Sequence, residues 1–124
     1  MPLNPQLIRV ALGKASADIV IKNGQLVNVA SGEIYPADIA IKGERIASIG
    51  PLPEGTIGPE TRVIDAKGLY LAPGFIDAHI HIESSMLTYT EFSKMVVRHG
   101  TTAVASDLME VTIVSGIEGM REIL

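Results

Sequence analysis

Two histidines separated by one residue, His79 and His81, lie in the run Pro73-Gly74-Phe75-Ile76-Asp77-Ala78-His79-Ile80-His81-Ile82-Glu83-Ser84-Ser85, and the whole chain has only three histidines. If the run is a strand, side chains alternate between its faces. Asp77, His79, His81 and Glu83 then share one face, and Ile76, Ala78, Ile80 and Ile82 the other. Same-face neighbours sit roughly 6.6 Å apart along a strand, close enough for two imidazoles to lean onto one ion. The chemistry offered is half of a metal site. An ordinary antiparallel strand with its polar face in water alternates in the same way. What distinguishes this run is chelating spacing, two neighbouring carboxylates, a Pro-Gly breaker before it and a Ser-Ser pair after it.

The residues that follow indicate how such a strand is held. Thr88-Tyr89-Thr90-Glu91 has the form of a capping box, and Phe92, Met95 and Val96 follow at helical spacing. Gly100 closes this helix, with Arg98 and His99 in its last turn, where cations favour the dipole. His99 is therefore read as structural. Thr101 to Ser106 is β-branched and small and predicts a second strand. Strand, helix and strand at this spacing predict a parallel βαβ unit. Parallel sheets are covered on both faces, so the polar face is expected to be buried, where charges persist only when paired or bound to metal. Functional groups collect at the C-terminal ends of such strands, here Glu83 to Ser85 and Asp107 to Glu110.

Upstream, the pattern is strand-rich after a short helix. Asn4 and Pro5 read as an N-cap and first-turn proline, Leu7, Ile8, Ala11 and Leu12 as its apolar stripe, and Gly13 as its stop. Ile19–Lys22 and Gln25–Val29 around Asn23-Gly24 predict a hairpin with a tight turn. Asp38–Lys42 and Arg45–Ile49 around Gly43-Glu44 predict a second. Residues 50–60 hold three prolines and three glycines and read as a surface loop. Thr61–Asp65 and Leu69–Ala72 around Lys67-Gly68 predict a third strand pair. Asp18, Asp38 and Asp65 are expected at turns and strand ends rather than as ligands.

The chain has 124 residues, a net charge of −4, no cysteine and positive mean hydropathy. Interspersed charges give no basic surface for nucleic acid or anionic membrane. The absence of cysteine removes disulfide and thiolate chemistry and fits the cytoplasm. The N-terminus lacks the apolar core of a secretory signal, and no apolar run is long enough to span a membrane. A (β/α)8 barrel needs about 250 residues, so the expectation is a fragment of a larger enzyme or a truncated relative.

The run Pro73 to Ser85 with Met86-Leu87-Thr88, followed by His99-Gly100-Thr101-Thr102, resembles the opening of the catalytic barrel in the amidohydrolase superfamily. Glu83-Ser84-Ser85-Met86 is most similar to its adenine deaminase branch. The resemblance implies a mixed α/β chain. Residues 1–72 would form a β-sandwich-like small domain with a short N-terminal helix, and residues 73–124 the first βα units of an incomplete (β/α)8 metallo-hydrolase barrel. It implies His79 and His81 as metal ligands, Ser84 and Ser85 as substrate contacts, and Glu83 and Glu110 as catalytic candidates. The cofactor would be a divalent metal, manganese, iron or zinc, binuclear in a complete enzyme. Such a metal lowers the pKa of bound water towards 7. In the family the resulting hydroxide attacks C6 of a purine and ammonia leaves, turning adenine into hypoxanthine. The chain departs from the family's Asp-Pro-His-Glu at Asp107-Leu108-Met109-Glu110, where a thioether replaces an imidazole, and Ile113 stands where the family has Asn. On its own the chain is expected to be inactive. The rivals are another cyclic amidohydrolase, of dihydropyrimidinase or imidazolonepropionase type, and a non-enzymatic assembly module that self-associates through an open strand edge.

Overall fold

The first helix, α1 (Pro5–Ala11), starts as its sequence dictates. In the computed structural model, which describes residues 4–123, Asn4 is the N-cap, its side-chain oxygen accepting the Gln6 N–H at 3.0 Å, and Pro5 fills the first turn, where no donor is needed. Val10 turns inward and is fully buried. The chain divides into two compact units, one ending at Pro73 and the other beginning at Gly74.

The first unit is organised on β1 (Ile19–Asn28), which pairs antiparallel with β2 (Glu33–Lys42), itself antiparallel to β3 (Arg45–Ile49). On its other edge β1 takes two parallel partners, β4 (Arg62–Asp65) alongside Ile19–Lys22 and β5 (Tyr70–Leu71) alongside Gln25–Leu26. The Gly43-Glu44 hairpin forms as its sequence predicts. The Asn23-Gly24 hairpin does not. Those residues lie inside one continuous strand as a β-bulge, Ile21 pairing with Ile39 but Gly24 with Ala37, and Asn23 takes the positive φ of 59° that suits it equally to a turn. Asn23 is held there by its N–H on Asp38 Oδ1 and its Nδ2 on Asp65 Oδ1, each at 2.9 Å.

The bulge decides where the core lies. An extra residue reverses the alternation, so Ile21 and Leu26, five positions apart, pack in one cluster with Ala37, Ile39 and Leu71. Val20 faces the opposite way, into Val10, Ala17 and Ala40. The expected pairing of Thr61–Asp65 with Leu69–Ala72 is likewise replaced. Lys67 and Gly68, both at positive φ, carry the chain along β1 from one parallel register to the next rather than back on itself. In place of two facing sheets, the described residues of this unit form one mixed five-stranded sheet.

Residues 50–60 contain no regular element, as expected, yet the loop is pinned at Thr56, which is fully buried and accepts the Ala17 N–H at 2.8 Å. Gly13 (φ 66°) and Gly55 (φ 89°) bring two backbone segments together there, and a Cβ on Gly13 would sit 2.3 Å from the Glu54 carbonyl oxygen. Gly13→Ala is expected to lower the urea midpoint by an amount equivalent to about 2–3 kcal/mol, combining a disfavoured backbone conformation with a clash against main chain. Gly32→Ala, at φ 74° in open space, is the control and should lose only the backbone part, about 1 kcal/mol.

The second unit is a parallel pair, β6 (Phe75–Ile80) and β7 (Thr101–Ser106), joined by α2 (Tyr89–Val97) and followed by α3 (Met109–Ile123), which is kinked at Gly116. The βαβ reading holds. Thr88 caps α2 by accepting the Glu91 N–H at 3.3 Å, and Phe92 is the buried anchor. The strand is shorter than the alternating run: it stops at Ile80, and Glu83–Ser85 forms a 3-10 turn ended by Met86 at φ 60°. Among the described residues no helix is long and apolar enough to cross a membrane.

Candidate metal centre

The site lies at the C-terminal end of the β6–β7 pair. His79 is in β6, His81 is the first residue past it, Asp107 follows β7, and Glu110 stands in the first turn of α3. Parallel pairing places the ends of both strands side by side, so the loop after β7 arrives beside the histidines. The two Nε2 atoms are 3.2 Å apart, with ring centroids at 5.0 Å. Asp107 reaches both rings, Oδ1 at 2.8 Å from His81 Nδ1 and Oδ2 at 3.3 Å from His79 Nε2. Glu110 Oε2 hydrogen-bonds His81 Nδ1 at 3.1 Å, and its other oxygen accepts the Ser84 hydroxyl at 2.5 Å.

Electrostatics follow from these contacts. The Ser84 hydroxyl, then Glu110's own backbone N–H, pull the Glu110 carboxyl down to about 2. Glu110 is therefore a carboxylate at neutral pH, an acceptor and not a proton donor. Glu83 differs. Both its oxygens are buried without a hydrogen-bond partner among the described residues, within 4.8 Å of ligand atoms on His81 and Glu110. An orphaned buried carboxylate is costly unless a proton or a cation neutralises it.

The donor set fits a divalent metal. Two nitrogens bound to one ion at about 2.0–2.1 Å and separated as these are subtend about 100°, between octahedral and tetrahedral angles. Among the described residues two groups have ligand atoms within 4.8 Å of one another, His79 with His81 and Asp107, and His81 with Glu83 and Glu110. Histidines with carboxylates suit zinc, iron or manganese.

The expected burial of the polar face is not met. The His79 side chain is 66% exposed and Asp107 53%, against 27% for His81. The reason is strand count: β6 has β7 as its one partner among the described residues, so the site's other flank is open. Asp77, assigned by alternation to the ligand face, instead accepts the His79 N–H at 3.1 Å. Ser85 turns its hydroxyl onto the Ile82 carbonyl at 2.6 Å. Asp107 was not among the residues singled out from the sequence as ligands; its signal was its place at the end of the next parallel strand.

Residues 62–112 match the model of the amidohydrolase family. Over 94% of its length the chain is 53% identical to an adenine deaminase of Moorella thermoacetica, spanning 19% of that protein, and over 94% it is 50% identical to adenine deaminase 3 of Rhizobium meliloti, spanning 20%. The chain thus covers about a fifth of the length of these curated relatives. Among solved structures, the D-hydantoinase (dihydropyrimidinase) of Thermus sp. matches with a TM-score of 0.60 at 31% identity, over 85% of this chain and 24% of that one. The N-acyl-D-glutamate deacylase of Bordetella bronchiseptica, complexed with zinc, matches with a TM-score of 0.55 at 29% identity, over 72% and 18%.

Proposed function

This chain belongs to the amidohydrolase superfamily, on its adenine deaminase-like side, and from that premise we propose that it supplies the small N-terminal domain and the first βα unit of a metal-dependent barrel enzyme that deaminates adenine. The observation carrying the reading is the facing pair of Nε2 atoms, 3.2 Å apart, at the end of a parallel strand. His79 and His81 hold the metal, with Asp107 as the nearest third donor. When bound, the metal supplies Lewis acidity and an activated water.

The remaining roles belong to protein groups. Ser84 donates its hydroxyl to Glu110, leaving oxygen lone pairs free to accept an N–H from a purine. Ser85, with its hydroxyl on Ile82, shapes the turn that presents Ser84. Glu83 is the better candidate for moving a proton, since its carboxyl is buried and unpaired, whereas Glu110 is locked as an acceptor. With three donors clustered on an open flank, the chain by itself lacks a closed site and is inactive. The metal is manganese, iron or zinc, and binuclear once further ligands complete it.

The test is the product of the whole reading frame that contains this chain. Ammonia and hypoxanthine should form from adenine, with no turnover by the 124-residue chain alone. Hydrolysis of hydantoin or dihydropyrimidine rings in place of adenine would overturn the substrate assignment in favour of the hydantoinase-like reading that the Thermus likeness supports.

A further inference from the structure

Two carboxylates approach the same ring nitrogen, His81 Nδ1, and they cannot both have the same role. We infer that Glu110, clamped by Ser84, is the positioning residue that fixes the tautomer of His81, and that Asp107 is the carboxylate left free to become a ligand. The inference rests on the metal reading above and divides the labour within that site.

Three observations separate the two acids. Glu110 Oε2 meets Nδ1 in hydrogen-bond geometry at 3.1 Å, whereas Asp107 Oδ1, although closer at 2.8 Å, lies off that alignment. Glu110 is anchored from behind, its second oxygen accepting the Ser84 hydroxyl at 2.5 Å. Asp107 has no such anchor: the contacts of its carboxylate among the described residues are the two rings, and its Oδ2 is already 3.3 Å from His79 Nε2. A neutral imidazole carries one N–H and one lone pair. If Nδ1 holds the hydrogen and gives it to Glu110, Nε2 must be bare, and Nε2 is the atom that faces His79. A carboxylate behind a ligating imidazole also raises its basicity and holds the ring plane, typically contributing 10–100-fold in metal affinity. The Ser84–Glu110–His81 chain is thus a support running from the 3-10 turn, through the start of α3, to the end of β6. Asp107, on the short connection between β7 and α3, is free to swing onto the ion.

The 15N-labelled 124-residue chain, free of metal, tests this through two-bond 1H–15N correlations of the imidazole rings. Wild type should show His81 protonated on Nδ1. Glu110→Ala should move His81 to a mixture of tautomers and weaken Co2+ binding 10–100-fold, while Glu110→Gln, which keeps an acceptor oxygen, should restore much of both. Ser84→Ala, a milder change if Glu110→Ala folds poorly, should shift the tautomer part way. Asp107→Asn should weaken Co2+ binding and leave the His81 tautomer as in wild type. A tautomer unmoved in Glu110→Ala and Ser84→Ala, or moved in Asp107→Asn instead, overturns the assignment. The metal reading fails separately: Co2+ affinity unchanged by His79→Ala, which removes a ligand without touching His81 Nδ1, would overturn that reading whatever the rings report.

Discussion

Replacing His81 with alanine is expected to weaken zinc binding by this chain by at least about 100-fold. Structural zinc sites with four ligands release about 10–16 kcal/mol, so one ligand accounts for roughly 3 kcal/mol, and each 1.4 kcal/mol is tenfold in affinity. The loss should exceed that of one generic ligand. His81 is the residue that both metal-capable groups share, and its removal leaves Asp107 and Glu110 facing each other without the imidazole between them. Competition against a chromophoric chelator measures the effect. His99→Ala is the control, since His99 follows α2 and belongs to neither group. Equal zinc affinity in wild type and His81→Ala would remove the metal centre from consideration.

Val20→Asp is expected to unfold the first unit. Val20, the second residue of β1, is fully buried and paired on one side with Ala40 of β2 and on the other with Val63 of β4, with Val10, Ala17 and Ala40 packed around it. An aspartate there has no cation within its cluster. An unpaired buried carboxyl costs several kcal/mol even when it takes up a proton, and the lost packing adds to that. Whole domains are stable by only about 5–15 kcal/mol. Circular dichroism should show lost strand signal, and amide spectra should show collapsed dispersion for residues of β1 to β5. Ile34→Asp, on β2 but 57% exposed, should leave both intact. A native-like spectrum for Val20→Asp would mean that the sheet is not organised around this strand.

Local signals were legible where a partner lies close in sequence. The α1 cap, the β2–β3 hairpin, the α2 cap and the βαβ order all rest on contacts within a few residues or on hydrophobic period, and all are present. Two readings failed for one reason. Asn-Gly and Lys-Gly permit positive φ, but permission is the same for a tight turn, a bulge or a bend, and the strand already waiting alongside decides among them. For residues 62–71 that strand is β1, far back in the chain. At the site, alternation placed His79 and His81 together, yet it could not follow the chain out of the strand at Ile80. Glu83 therefore reaches the cluster from a turn, and Asp77 does not reach it at all. Asp107 and Glu110 joined through sheet pairing, which spacing alone does not encode. Exposure was misjudged because a parallel strand implies two flanking strands, and β6 has one among the described residues.

The parallel arrangement on β1 carries a consequence for biosynthesis. A nascent chain can zip β1, β2 and β3 in sequence as they leave the ribosome, because each follows its partner directly. The far side of β1 has to wait until Arg62–Asp65 and then Tyr70–Leu71 have been translated. During that interval β1 presents bare amides and carbonyls along one edge, the condition under which two unfinished copies on one polysome would zip together in place of completing themselves.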